Sequence, residues 1–237
     1  MPNDPSLAYR DPELARRLAA AIKSAATRPM KIMEVCGTHT VAIARNGLRE
    51  LMPETVTLLS GPGCPVCVTA NRDIDLAIEI GRQPGVTLTT FGDMMKVPGS
   101  RSSLASEKAD GRDVRIVYSP LDAVALADHN PDLQVVFLGV GFETTAPTVA
   151  AAIKTAARMG LKNFSVLSMH KTGPLAPEGL VHYPQVAIDG FILPGHVSTI
   201  IGPEPYRFLA EQYGVPGAVT GFEPIDVLQG IHSLVKQ

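Results

Sequence analysis

The chain has 237 residues, enough for one large domain or two small ones. Its 21 Lys and Arg against 23 Asp and Glu leave a formal net charge of −2, without the basic excess that a nucleic-acid binder needs to neutralise phosphates. Hydrophobic residues make up 45%, which supports a packed core and excludes a disordered or fibrous chain.

The first six residues carry an acid and two prolines and no apolar segment, so they do not read as a secretory signal. A helix is expected over 12–26. Short β-rich runs follow at 31–35, 55–60, 86–90, 114–118, 134–138, 164–168 and 191–193. Helical patterns lie between them at 41–49, 74–80, 123–127, 147–159 and 205–213, and a last helix starts near Pro224. Strands alternating with helices predict an α/β architecture, with parallel sheets carrying helices on their faces. The longest apolar stretch, 135–142, falls far short of the roughly 18 residues that span a bilayer. A cytoplasmic protein with no membrane and no nucleic-acid partner is expected.

Polar or glycine-rich turns begin at 36, 61 and 91, and again at 139, 169 and 194. That spacing predicts two halves of successive βα units. The expected division is an N-terminal helical segment (1–29), an α/β domain carrying the cysteines (30–118), a second α/β domain (119–223) and the start of a C-terminal helix (224–237). Loops after parallel strands emerge at one edge of their sheet. Two such edges facing each other would line a central cleft with all six turns.

Three cysteines, Cys36, Cys64 and Cys67, an odd number with two in a Cys-x-x-Cys pair, do not read as a secreted disulfide framework. Cys36 follows a strand and precedes a helix, where backbone N–H groups favour a thiolate. His39 lies three residues on, in reach to deprotonate it, and Gly37 lets the backbone come close to a bound group. The pair Cys64 and Cys67 in Gly-Pro-Gly-Cys-Pro-Val-Cys fits a dithiol–disulfide couple. It also fits half of a zinc site completed by Cys36 and His39. Three cysteines cannot ligate a Cys₄ iron–sulfur cluster. The turn 139–145 has Thr144 where a dinucleotide fingerprint has its third glycine, with Glu143 and Thr145 beside it. A nucleotide-binding enzyme is the reading that turn leaves open. Asp93, His196 and Ser198, taken singly, are ordinary loop residues.

Six blocks together resemble the HypD family of hydrogenase maturation factors: MEVCGTHT (33–40), SGPGCPVCVT (60–69), TFGDMMKVPGS (90–100), GFETTAPTVA (141–150), GFILPGHVSTIIG (190–202) and GFEPIDVLQGI (221–231). The resemblance implies two α/β domains around a cleft. It also implies a scaffold on which the Fe(CN)₂CO unit of [NiFe]-hydrogenase is assembled. Iron is then held by Cys36 together with a small HypC-type chaperone, and cyanide comes from HypE and HypF. Cys64 and Cys67 act as a thiol–disulfide relay. His39, Asp93, Glu143 and His196 move protons or hydrogen-bond cyanide nitrogens, with Gly37, Thr38, Thr144, Thr145 and Ser198 lining the cargo. A [4Fe–4S] cluster is expected for the family in a further cysteine-rich module, whose ligands are absent from this chain. The alternative from another class is a thiol–disulfide oxidoreductase acting on protein partners through Cys64 and Cys67.

Overall fold

A computed structural model describes residues 8–183 and 185–237. Its contacts divide the chain into two compact units, residues 1–64 with 172–237, and residues 65–171. Each unit is built on a four-stranded parallel sheet with helices on both faces, which is the α/β class expected.

Unit 1 opens with α1 (Pro12–Ala25), started by the Asp11 carboxylate, which accepts the N–H groups of Glu13 and Leu14. There follow β1 (Met30–Glu34), α2 (Gly37–Arg45) and β2 (Val56–Ser60). After the second unit the chain returns as α7 (Leu175–Val181), β7 (Gly190–Pro194), α8 (Gly195–Ile201), α9 (Phe208–Tyr213), β8 (Gly217–Thr220) and α10 (Pro224–Lys236). Unit 2 contributes α3 (Asn71–Gly81), β3 (Val86–Thr90), a 3₁₀ turn (Gly92–Lys96), α4 (Leu104–Ala109), β4 (Val114–Ile116), α5 (Pro120–His129), β5 (Gln134–Gly139), α6 (Ala146–Arg158) and β6 (Phe164–Ser168).

Alternation along the strands sorts the cores. Met30, Ile32 and Ile192 face α1 and α10, packing on Ile22, Val227 and Ile231. Their neighbours Met33, Val35, Phe191 and Leu193 face the other way, onto Tyr206 and Leu209. In unit 2, Leu88 and Leu138 pack on Ile74 and Ile78 of α3, whereas Val135 and Phe137 pack on Ala123 and Ala127 of α5 and Val149 of α6.

The strand order in unit 1 is β2-β1-β7-β8, and in unit 2 it is β4-β3-β5-β6. Counted within each unit, both orders are second-first-third-fourth. The chain therefore does hold a repeated topology, but not as the consecutive halves 30–118 and 119–223. β1 pairs with β7, with Ile32 opposite Gly190, so the second unit is inserted into the first. The spacing of turns is the same for either arrangement, and only strand pairing separates them. Four elements escaped the sequence reading. They are α4, α7 and α8, each a turn or two long, and β8, four residues that begin on glycine just after Pro216. Among the described residues no helix is long and apolar enough to cross a membrane.

Candidate functional site

In each unit the chain runs outward from the first strand to the second, then crosses back to the far side of the first. Loops leaving the two strands at that reversal diverge, and ligands of open α/β sheets bind there. The reversal in unit 1 lies between β1 and β7, flanked by the turn that carries Cys36 and by the start of α8, which carries His196. In unit 2 it lies between β3 and β5, flanked by Asp93 and by the turn that carries Glu143, Thr144 and Thr145.

Cys36 is the N-cap residue of α2, in extended conformation, with no side-chain cap on the helix. Its thiol is half-buried. Glu34, only 1% exposed, sits below it. The Cys36 N–H donates to Glu34 Oε2 (3.2 Å) and the Thr40 hydroxyl donates to Oε1 (2.6 Å). The Ser60 hydroxyl is a third donor. Burial pushes the Glu34 carboxyl up, against these donors and the nearby Arg49.

The loop after β2 is clamped to the same turn. Gly61 N–H donates to the Glu34 carbonyl (2.8 Å), and Gly37 N–H donates to the Gly63 carbonyl (3.1 Å). A Cβ on Gly63 would lie 2.3 Å from the Cys36 nitrogen and 2.4 Å from its Cα. Only glycine permits that approach. It brings Cys64 against Gly37, whose own Cβ position is 3.8 Å from that of Cys64. Two of the three cysteines thus belong to adjoining loops of one unit.

His39, expected as a loop residue, is in the first turn of α2 and fully buried. Its Nε2 is 2.9 Å from the Gly221 carbonyl and 2.8 Å from the Thr220 hydroxyl. A carbonyl only accepts, so Nε2 carries the proton and Nδ1 is left as a bare acceptor, buried with no hydrogen-bond partner among the described residues. Burial, with His196 nearby, pushes the imidazolium down. Phe222 is stacked between His39 and His196, with ring centroids at 4.5 and 4.2 Å. His196 and Ser198 also line a cavity of about 490 Å³ with Thr199, Pro203, Val219 and Phe222. Thr38 faces a smaller hollow of about 240 Å³ beside Arg45 and Asn46.

In unit 2, Cys67 and Asp93 are exposed, and Glu143 is half-buried. Thr145 is the N-cap residue of α6, but its hydroxyl donates to the Phe142 carbonyl (3.2 Å) and makes no cap bond to the helix. A Cβ on Gly141 would lie 1.6 Å from Thr145 Oγ1, so local packing accounts for that glycine without a bound phosphate. His170 follows β6 with Nδ1 2.9 Å from the Ser168 hydroxyl, its Nε2 buried with no hydrogen-bond partner among the described residues and its imidazolium pushed down by burial.

Cys36, Gly37, Thr38, His39, Cys64, His196 and Ser198 therefore fall in unit 1, and Cys67, Asp93, Glu143, Thr144 and Thr145 in unit 2. Sequence reasoning passed over Glu34, His170 and Phe222. An acid at the end of the strand Met-Lys-Ile-Met-Glu, two residues before Cys36, was the available signal for Glu34. The zinc reading does not assemble. Among the described residues no group of three or more His, Cys, Asp or Glu is disposed to hold a metal ion.

The HypD family profile, described as the hydrogenase formation hypA family, matches residues 13–237. The hydrogenase maturation factor HypD of Rhodobacter capsulatus is 50% identical over 236 residues, covering 97% of this chain and 63% of that protein. The protein of the same name from Rhizobium leguminosarum bv. viciae is 50% identical over 238 residues, with 97% and 62% covered. That of Escherichia coli (strain K12) is 47% identical over 236 residues, with 97% and 63% covered. The chain spans just under two thirds of the length of these curated relatives.

Proposed function

The chain belongs to the HypD hydrogenase-formation family, and from that premise we propose that it is a scaffold for building the Fe(CN)₂CO unit of [NiFe]-hydrogenase. Iron is bound as cargo by the Cys36 thiolate, in complex with a HypC-type chaperone. The observation that carries this reading is the placement of Cys36: a half-buried thiol on the N-cap residue of a helix at the strand reversal of unit 1, with the Cys64 loop packed on its backbone.

The chemistry follows from the donor set. One soft thiolate suits low-spin iron whose other positions are filled by carbon-bound ligands and a partner's donor. Such a cargo needs no multi-residue cage in this chain. Cyanide carried as a thiocyanate, R–S–CN, takes two electrons and one proton to give a thiol and cyanide ion. Oxidation of Cys64 and Cys67 to a disulfide releases two electrons and two protons, so the dithiol meets the demand with a proton to spare. His39 Nδ1, a bare acceptor, supports a role as proton acceptor when Cys36 binds iron. His196 serves as a hydrogen-bond donor to a cyanide nitrogen, with Gly37, Thr38 and Ser198 of the same unit supplying further polar contacts. A resident [4Fe–4S] cluster does not fit the residues present, because it needs four thiolates and the chain has three cysteines. Cyanide comes from HypE and HypF.

The test is an anaerobic infrared spectrum of the chain co-purified with a HypC-type partner from cells expressing the other maturation proteins. Cyanide and carbonyl stretching bands are expected, and Cys36→Ala is expected to abolish them while the partner still co-purifies. Bands that persist in Cys36→Ala would remove Cys36 from the iron.

A further inference from the structure

We propose that Glu34 is the positioning residue for Cys36, and that its carboxylate ties the Cys36 turn to the strand end from which the Cys64 loop departs. The proposal rests on the reading of Cys36 as the iron thiolate and adds a residue to it.

Glu34 ends β1 and is 1% exposed, a burial that a carboxylate tolerates only when its oxygens are satisfied. The groups on it are hydroxyl and N–H donors: Cys36 N–H at 3.2 Å, the Thr40 hydroxyl at 2.6 Å and the Ser60 hydroxyl. No direct ion pair to Glu34 is present among the described residues, and Arg49 acts from a distance while it donates to Ser60 Oγ (2.9 Å). A buried acid held this way is costly for stability alone, since an apolar side chain would fill the same space without desolvation. Its donors explain its presence. Cys36 and Thr40 belong to the turn and helix that present the thiol. Ser60 is the last residue of β2, directly before Gly61. One carboxylate thereby fastens both cysteine-bearing loops of the unit. The main chain of Glu34 repeats the link, with its carbonyl accepting Gly61 N–H at 2.8 Å. Because the helix has no side-chain cap of its own, the Glu34 bond to the Cys36 N–H is the shorter of two side-chain restraints on the cap residue, the other being the Thr40 hydroxyl to the Cys36 carbonyl at 3.5 Å.

Glutamine at 34 keeps the size but turns an NH₂ toward one of three donors, so one arm of the clamp is lost. Loss of a hydrogen bond to a charged group shifts a local opening equilibrium by roughly tenfold. The half-buried Cys36 thiol is then more often accessible.

The experiment labels the metal-free full chain with iodoacetamide and follows Cys36 and Cys64 separately by peptide mass spectrometry. Glu34→Gln is expected to raise the rate at Cys36 relative to the wild type by roughly tenfold with cooperative melting retained. The control Glu107→Gln removes a carboxylate of similar burial, held by Arg82 and Ser102 in unit 2, and is expected to leave the Cys36 rate within about twofold. Ser60→Ala, at an exposed strand end that tolerates truncation, removes one arm of the clamp and is expected to raise the Cys36 rate by a smaller factor. It decides the matter if Glu34→Gln does not fold. A folded Glu34→Gln with the wild-type rate, an unchanged rate in Ser60→Ala when Glu34→Gln is unfolded, or an equal rise in Glu107→Gln would overturn the proposal. Labelling needs no iron, so its failure is distinguishable from failure of the infrared test.

Discussion

His39 holds its proton on Nε2 because the Gly221 carbonyl can only accept. A buried neutral imidazole has a consequence for acid stability. Its native pKa lies below the usual 6.5. Above that pH neither the native nor the unfolded state is protonated there, and the group contributes nothing. As pH falls through 6.5 the unfolded chain takes up a proton that the native state refuses, so stability declines until the native pKa is reached. His170 adds to the same decline, its imidazolium also held down by burial. The melting temperature is therefore expected to drop between pH 7.5 and 5.5. His39→Gln should flatten part of that drop, whatever its effect at pH 7.5. A variant with the wild-type slope would show that His39 titrates normally. The same residue illustrates what was readable. Its proximity to Cys36 followed from spacing within MEVCGTHT, whereas its burial depended on Thr220, Gly221 and Phe222, nearly two hundred positions away.

At the scale of elements, the decisive feature is the contact between the β1–α2 turn and the loop after β2. Gly63 lies so close to Cys36 that any side chain would meet backbone atoms that cannot rotate away. Gly63→Ala is expected to cost at least about 3 kcal/mol, at the upper end of overpacking effects. Gly85 offers a contrast. It sits at φ +74° with nothing within 4 Å of its Cβ position, so Gly85→Ala is expected to cost only about 1–2 kcal/mol of left-handed strain. Denaturant titration of both variants measures the difference, and equal losses would mean that the Gly63 contact yields easily. Most strands were legible because an apolar run ended by glycine or proline is a local signal. β8 was not, because Gly-Ala-Val-Thr is short and opens on glycine, and it is held by its ladder to β7. α4 carried a readable cap, Ser103 accepting the Ser106 N–H, but six residues are too few to show a helical period.

For the whole molecule, one unit is continuous and the other is interrupted by it. Closing unit 1 brings together groups such as Lys31 N–H and the Asp189 carboxylate (2.8 Å), 158 positions apart. Loop-closure entropy for so long a separation is reduced when the intervening residues are already compact. Residues 65–171, with their own sheet and core, are therefore expected to fold as an isolated fragment with a cooperative transition. Residues 1–64 alone are expected to stay unfolded, because β1 lacks β7 and the α1 face lacks α10. Circular dichroism melts of the two fragments check this, and a folded 1–64 fragment would contradict the interdependence. By itself the sequence determined the α/β class, seven of the eight strands, the family and the identity of the thiol-bearing turns, since these rest on signals within a few residues of each other. Tertiary structure alone decided that β1 pairs with β7, that the turns are shared out as 36, 61 and 194 against 91, 139 and 169, and that Glu34 is buried beneath Cys36. The reason is physical: periodicity and turn chemistry act locally. Strand order and the satisfaction of a buried carboxylate are settled by contacts between segments far apart in the chain, and no local pattern encodes which distant segment will supply them.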